Sequence, residues 1–195
     1  MTHEDDRSSG EPTDERVVLL DESGTRIGDA SKAEIHTDST PLHLAFSCYL
    51  FNEDGQLLVT SRALSKLTWP GVWTNSFCGH PGPGEEIEAA IHRRAAEELG
   101  TQVNDVTLID PEFRYRAIDA SGVVENEICP VYTAKISGPL ASNPDEVAES
   151  QWVDVAAVIE AAELTPFAFS PWMVKQIGSL SHKIRLGSSG AAETL

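Results

Sequence analysis

One stretch constrains the fold of this chain more than any other: residues 73–100, WTNSFCGHPGPGEEIEAAIHRRAAEELG. The run Thr74 to His80 has strand character, a Pro/Gly turn follows, and a helix is predicted from about Glu85 to Leu99. Gly100 ends that helix, because a residue without Cβ readily takes the left-handed conformation just past a last helical turn. Arg94, Glu97 and Glu98 stand at i, i+3 and i+4, so they lie on or next to one helix face. For RRAAEE alone, a solvated helix of mixed charge would account for the pattern. A cysteine and a histidine two positions apart, Cys78 and His80, fall outside that account.

Around this stretch the chain reads as alternating strands and helices. VVLLDESGTRIGDA predicts a hairpin turning at Ser23-Gly24, and LHLAFSCYLFNEDGQLLVTSRA a second one turning at Asp54-Gly55. DVTLID, EFRYRAID, VENEICPVYTAKI and ESQWVD read as further strands, with DASG turning between the second and third of these. Helices are predicted at about Val155 to Ala162 and Pro166 to Ile177. The order implies an α+β fold, an antiparallel or mixed sheet with helices packed on it.

With 195 residues, 41% of them apolar, a single domain with a real core is expected, running from residue 17 to residue 186. Residues 1–16 open acidic and poor in large apolar groups and read as a disordered tail; residues 187–195 read as a flexible end. The acidic start has neither the basic region nor the apolar run of a secretory signal. No apolar segment approaches the ~20 residues that would span a bilayer, so no membrane partner is expected. The net charge of -17 repels nucleic-acid phosphates, so any anion site must come from a few cations gathered locally. Three cysteines (Cys48, Cys78, Cys129) without CxxC spacing suit free thiols in a reducing cytoplasm.

A second group of residues lies outside the 73–100 stretch. His36 and His43 occur in HTDSTPLHLAFS, and Glu125 and Glu127 in VENE. Residues two apart in a strand point to one face, so the two glutamates can reach one ion, and imidazole with carboxylate suits a divalent transition metal or a mixed octahedral site. Taken singly, each histidine is more often a surface or satisfied core residue than a ligand.

Counted from Gly79, the 73–100 stretch has a glycine, five residues, Glu85, seven residues, Arg93, Arg94, two alanines, Glu97, Glu98, Leu99 and Gly100. This spacing resembles the Nudix box, whose loop, helix and loop array carboxylates to hold divalent cations against a diphosphate. Arg94 stands where Nudix hydrolases carry a glutamate, which argues against hydrolysis. HTDSTPLHLAFS, RALSKLTWPGVWTNSFCGHP, RYRA, GVVENEICPV and FAFSPWM, in this order, closely resemble the type 1 isopentenyl-diphosphate isomerases, a family of the Nudix fold, over nearly the whole core.

The resemblance implies a proton transfer that interconverts isopentenyl and dimethylallyl diphosphate through a tertiary carbocation. By the same resemblance Cys78 and Glu127 flank the allyl unit, Tyr115 sits near the carboxylate, and Trp172 faces the cation. It implies a metal set of His36, His43, His80, Glu125 and Glu127, filled by manganese, magnesium or zinc. Magnesium would come with the diphosphate at Glu98, and Lys32, Arg62, Lys66 and Arg94 would bind the diphosphate. The expected partner is that small molecule, taken up by a monomer, with no flavin. Trp69, Trp73 and Trp172 are candidates for shielding the cation from water. Two other readings are a Nudix diphosphohydrolase, against which Arg94 argues, and a module that binds a metal only for its stability.

Overall fold

Phe46–Phe51, FSCYLF, is buried at all six positions, and a strand of this kind needs cover on both faces. In the computed structural model, which describes residues 15–189, it lies inside a sheet with helices on either side. In chain order the elements are β1 (Arg16–Leu20), β2 (Arg26–Ser31), α1 (Lys32–Ile35), β3 (His43–Leu44), β4 (Phe46–Phe51), β5 (Leu57–Arg62), β6 (Trp73–Thr74), β7 (Phe77–Gly79) and α2 (Ile87–Leu99). Then follow β8 (Val103–Asp110), β9 (Arg114–Ile118), β10 (Val124–Ile128), β11 (Val131–Ile136), β12 (Val147–Val153), α3 (Val155–Leu164), a 3-10 turn at Pro166–Ala168 and α4 (Pro171–Ser189). One sheet has the order β2-β1-β3-β10-β9; the other has β12-β5-β4-β11-β8, with β6 on β5 and β7 on β4. The pairs β3/β10 and β4/β11 are parallel and the rest antiparallel, which is the mixed α+β architecture expected.

β4 divides the core. Phe46, Cys48 and Leu50 pack with Ala90, Ile91, Ala95 and Leu99 of α2, while Tyr49 and Phe51 pack with Val158 and Ile159 of α3 and Met173, Ile177 and Ile184 of α4. Each large aliphatic side chain buried this way contributes about 1.5–3 kcal/mol. The inward stripe of α2 also carries Arg94 and Glu98, both buried, so an apolar helix face ends in a charged pair. Gly100 closes α2 at φ 57, where a Cβ would also collide with the Ala141 carbonyl.

Four local expectations are corrected. The strand predicted over Thr74 to His80 is broken at Asn75-Ser76: β6 joins β5 (Thr60 opposite Thr74) and β7 joins β4 (Ser47 opposite Cys78). This segment wedges into the open end of the β4/β5 hairpin, which pairs directly only at Phe51 and Leu57. Ser76 replaces the lost ladder, its Oγ accepting from Leu50 N–H at 2.7 Å and donating to the Leu58 carbonyl at 2.6 Å. The strand predicted over 124–136 is two, because Cys129-Pro130 carries the chain from one sheet to the other and proline has no ladder donor.

The helix predicted over 166–177 is a 3-10 turn followed by α4, which passes through Gly178 because Leu180 and Ile184 continue its buried stripe. At the other end β1 already begins at Arg16, inside the expected tail. The rest of that tail, residues 1–14, and residues 190–195 lie outside the described residues. No helix among the described residues is long and apolar enough to cross a membrane.

Candidate active site

A cavity of about 420 Å³ lies where β5, β7, β9, β10 and α2 converge. Cys78 reaches it from β7. Its Sγ is 3.4 Å from Ser47 Oγ and 3.3 Å from Asn75 Nδ2, and burial pushes its thiol up to about 12, against those two hydrogen bonds. Tyr115 and Trp172 share the cavity wall with it. Tyr115 stands opposite Glu127 in the β9/β10 register, and its ring is 5.7 Å from that of Trp172. Trp172 donates from Nε1 to Asn75 Oδ1 at 3.0 Å, which fixes its plane. Of the other tryptophans considered, Trp69 packs edge-on against Trp172 at 5.5 Å from outside the lining, and Trp73 pairs with Ser61 and bridges to Phe169.

The three histidines converge although they come from three separate elements. His36 ends α1, His43 lies on β3 and His80 follows β7, with ring centroids 5.1–5.8 Å apart. Glu127 Oε1 is 3.1 Å from His80 Nε2 and 3.4 Å from His43 Nε2, and possible ligand atoms of these four residues lie within 4.8 Å of one another. Glu125, two residues back on the same face, places Oε2 3.2 Å from His36 Nε2, while its Oε1 accepts from Thr68 Oγ1 at 2.8 Å.

The donor set suits a divalent cation. His36 Nε2, His43 Nε2 and Glu125 Oε2 are buried with no hydrogen-bond partner, an arrangement that costs free energy unless something else satisfies the lone pairs. His43 Nδ1 sits 2.9 Å from the Pro41 carbonyl, so Nδ1 carries a hydrogen and Nε2, 3.4 Å from Glu127 Oε1, faces the cluster, where giving up its own hydrogen would free it to hold a metal. Burial brings His80 down to about 4, so its imidazole is neutral. Burial works against ionisation of Glu127, but His43 and His80 beside it prevail and hold its carboxyl well below the usual carboxylate range.

The cavity also carries cations. Lys32, Arg62, Lys66 and Arg94 all line the cavity, together with Glu98. Arg94 is held by Glu98 at 3.0 and 2.5 Å and by Glu97 at 2.8 Å. Arg62 donates to the Thr68 carbonyl at 2.9 Å and lies over the Trp172 ring at 5.5 Å. Burial brings the Lys66 ammonium down to about 8, with Arg62, Lys32 and Arg94 adding to the effect and Glu98 opposing it. Glu85 and Arg93, also part of the 79–100 spacing, stay out of the cavity lining. Arg93 binds both Glu85 oxygens at 2.8 Å and the His80 carbonyl at 3.1 Å, and so clamps the loop before α2.

Of the catalytic, diphosphate-binding and metal residues expected from sequence, all but His43 line this cavity, and His43 stands fully buried behind it. Sequence reasoning missed two carboxylates. Glu146 pairs with Lys66 and lies 3.3 Å from Arg94, and Glu15 accepts from Lys32 at 2.9 Å. Neither carried a signal: Glu146 sits in the turn NPDEV and Glu15 in a segment read as tail.

The NUDIX domain family model matches residues 41–173. The isopentenyl-diphosphate Delta-isomerase of Paenarthrobacter aurescens is 58% identical over 179 residues, covering 92% of this chain and 97% of that protein. The protein of the same name from Leifsonia xyli is 60% identical over 171 residues, covering 87% and 92%. Among solved structures, a Deinococcus radiodurans protein superimposes with a TM-score of 0.64 at 19% identity, over 84% of this chain and 98% of that one, a likeness of fold. The chain belongs to the Nudix family, and within it to the isopentenyl-diphosphate Delta-isomerases.

Proposed function

We propose that this chain interconverts isopentenyl diphosphate and dimethylallyl diphosphate by moving a proton along the three-carbon allyl unit. The observation that carries the reading is that one cavity is lined by Cys78, by Glu127 and by four cations, Lys32, Arg62, Lys66 and Arg94; burial favours the protonated thiol, and His43 and His80 favour the ionised carboxylate. Adding a proton to the terminal methylene leaves a tertiary cation; removing one from the carbon nearer the diphosphate restores the double bond one position along. Cys78 and Glu127 hold the two protons at these two steps. Positioned acid–base groups of this kind give about 10²- to 10⁴-fold each.

Trp172, buried and locked by Asn75, offers the transient cation an aromatic face, worth about 2 kcal/mol when desolvated. Tyr115 completes the wall on the Glu127 side. Lys32, Arg62, Lys66 and Arg94 bind the diphosphate, and Glu98 would hold the magnesium that accompanies it. His36, His43, His80, Glu125 and Glu127 would hold a second divalent ion, manganese, magnesium or zinc, whose positive charge keeps Glu127 ionised and fixed. With a cation at the Nudix position of Arg94, the diphosphate is retained rather than cleaved.

The test is a proton and phosphorus NMR time course with isopentenyl diphosphate and magnesium in deuterated water, with and without manganese. Loss of the terminal alkene signals, new methyl signals, deuterium incorporation and an intact diphosphate are expected. Released phosphate would instead indicate Nudix hydrolysis, and unchanged spectra would sink the isomerase reading.

A further inference from the structure

Behind Cys78 lies a chain of polar groups that the proton transfer just described does not use. Tyr49, Ser47, Asn75 and Gln176 are all fully buried, where each polar group costs free energy unless it is hydrogen-bonded. Their hydrogen-bond directions can be worked out in sequence. Tyr49 O–H donates to Gln176 Oε1 at 2.9 Å, which leaves the amide nitrogen of Gln176 facing Ser47 Oγ, also at 2.9 Å. That nitrogen can only donate, so Ser47 Oγ accepts there, and its own hydrogen is left for a sulfur. Two sulfurs are in reach at 3.4 Å, Cys78 Sγ and Cys129 Sγ.

Asn75, on the other side of Cys78, has no group to spare. Its Nδ2 hydrogens go to the Cys48 and Phe77 carbonyls at 3.1 and 2.9 Å, and its Oδ1 accepts from Trp172 Nε1 and Thr74 Oγ1 at 3.0 and 2.9 Å. Its contacts with Cys78, at 3.3 and 3.4 Å, are therefore secondary. The Ser47 hydroxyl is the donor free to follow the charge on sulfur. It favours Cys78 over Cys129 whenever Cys78 is the one that has given up its proton, because a charge-assisted bond is about twice as strong as a neutral one.

We propose that Ser47, oriented by Gln176 from α4 and through it by Tyr49, is a positioning residue for Cys78: its hydroxyl donates to the sulfur and stabilises it each time the proton is away. The train has one direction, from Tyr49 inward, so Ser47 donates to the Cys78 sulfur and does not take its hydrogen. This rests on Cys78 acting as the reading above assigns, and the test separates the two.

Ser47→Ala and Gln176→Leu are compared with the wild type in two measurements: steady-state isomerisation, and the rate at which iodoacetamide alkylates Cys78 at one fixed pH, followed by peptide mass. Loss of a hydrogen bond to a charged sulfur predicts a fall of about ten- to a hundredfold in kcat for Ser47→Ala with KM within twofold, and a similar fall in alkylation rate. Gln176→Leu, which frees Ser47 to turn, gives a smaller fall of the same kind. Alkylation as fast as in the wild type overturns the proposal, as does a raised KM with kcat unchanged. If Ser47→Ala does not fold, the same two readings on Gln176→Leu decide. A wild type that turns over no isopentenyl diphosphate removes the isomerase reading, and the alkylation rates alone then decide whether Ser47 is the donor.

Discussion

Arg94→Met is expected to cost about 3 kcal/mol of folding stability, mainly through the carboxylate it strands. The Arg94 side chain is 6% exposed and faces Glu98, Glu97 and Glu146. Methionine keeps much of the stem, so the lost charge decides the outcome. Glu97 is 45% exposed and water takes over for the guanidinium, at well under 1 kcal/mol. Glu146 still has Lys66. Glu98, 11% exposed, is left charged beside the core, and breaking a buried pair in this way costs roughly 3–5 kcal/mol, reduced here because Lys66 lies close enough to feel Glu98. In a chain of 195 residues each kcal/mol moves Tm by about 2–4 °C, so Tm falls by roughly 6–12 °C in circular-dichroism melts at pH 7. Arg94→Met/Glu98→Gln removes the stranded charge and recovers at least half of the loss. A single variant melting within about 2 °C of the wild type, or a double variant no more stable than the single, refutes the reasoning.

Lys66 is charged below about 8 and neutral above it, and a diphosphate favours the charged form, so kcat/KM for isopentenyl diphosphate falls as pH rises through about 8. Lys66→Met loses that limb; a wild-type profile flat from about pH 7 to 9 contradicts the assignment. Gly100→Ala combines left-handed strain with a collision against the Ala141 carbonyl and destabilises by about 2–4 kcal/mol, read by urea unfolding; a stability equal to the wild type would mean that the 141 loop yields freely. Manganese added to chelator-stripped protein at about a hundredfold over its Kd raises Tm by roughly 5–10 °C, and His36→Ala/His43→Ala abolishes the rise. No rise in the wild type would remove the metal from the histidine cluster.

The helix of the 79–100 stretch, the first hairpin, the turn of the second and the outward form of the fold were legible because they depend on local spacing, whereas the first arm of the second hairpin divides at Ala45 between the two sheets. Which histidines meet was not, since His36, His43 and His80 lie on three elements and only the family resemblance gathered them. The break at Asn75-Ser76 had only two residues of low strand propensity to mark it, and what splits the segment is the serine bridge between two strands already splayed apart. Pro130 marked a possible break in 124–136, yet only the pairing partners show that its two halves serve different sheets. Glu146 and Glu15 escaped because a carboxylate that answers a cation across the chain has no periodicity of its own.

The crossing of the chain from one sheet to the other also acts as a ruler. Glu127 is in register with His43 and Cys78 with Ser47, so a single segment of five residues carries the reference marks for both flanks of the allyl unit. Its position is pinned to the neighbouring segment by Ala45 N–H on the Ile128 carbonyl at 2.9 Å and Ser47 N–H on the Pro130 carbonyl at 3.1 Å. Adding or deleting one residue between these marks would move one flank against the other by about 3.3 Å, several times the tolerance of about 0.5 Å within which reacting groups must be held. A substitution between these two marks leaves their separation intact, whereas a change in length does not: the spacing of the proton-handling groups is written in the count of residues in that segment.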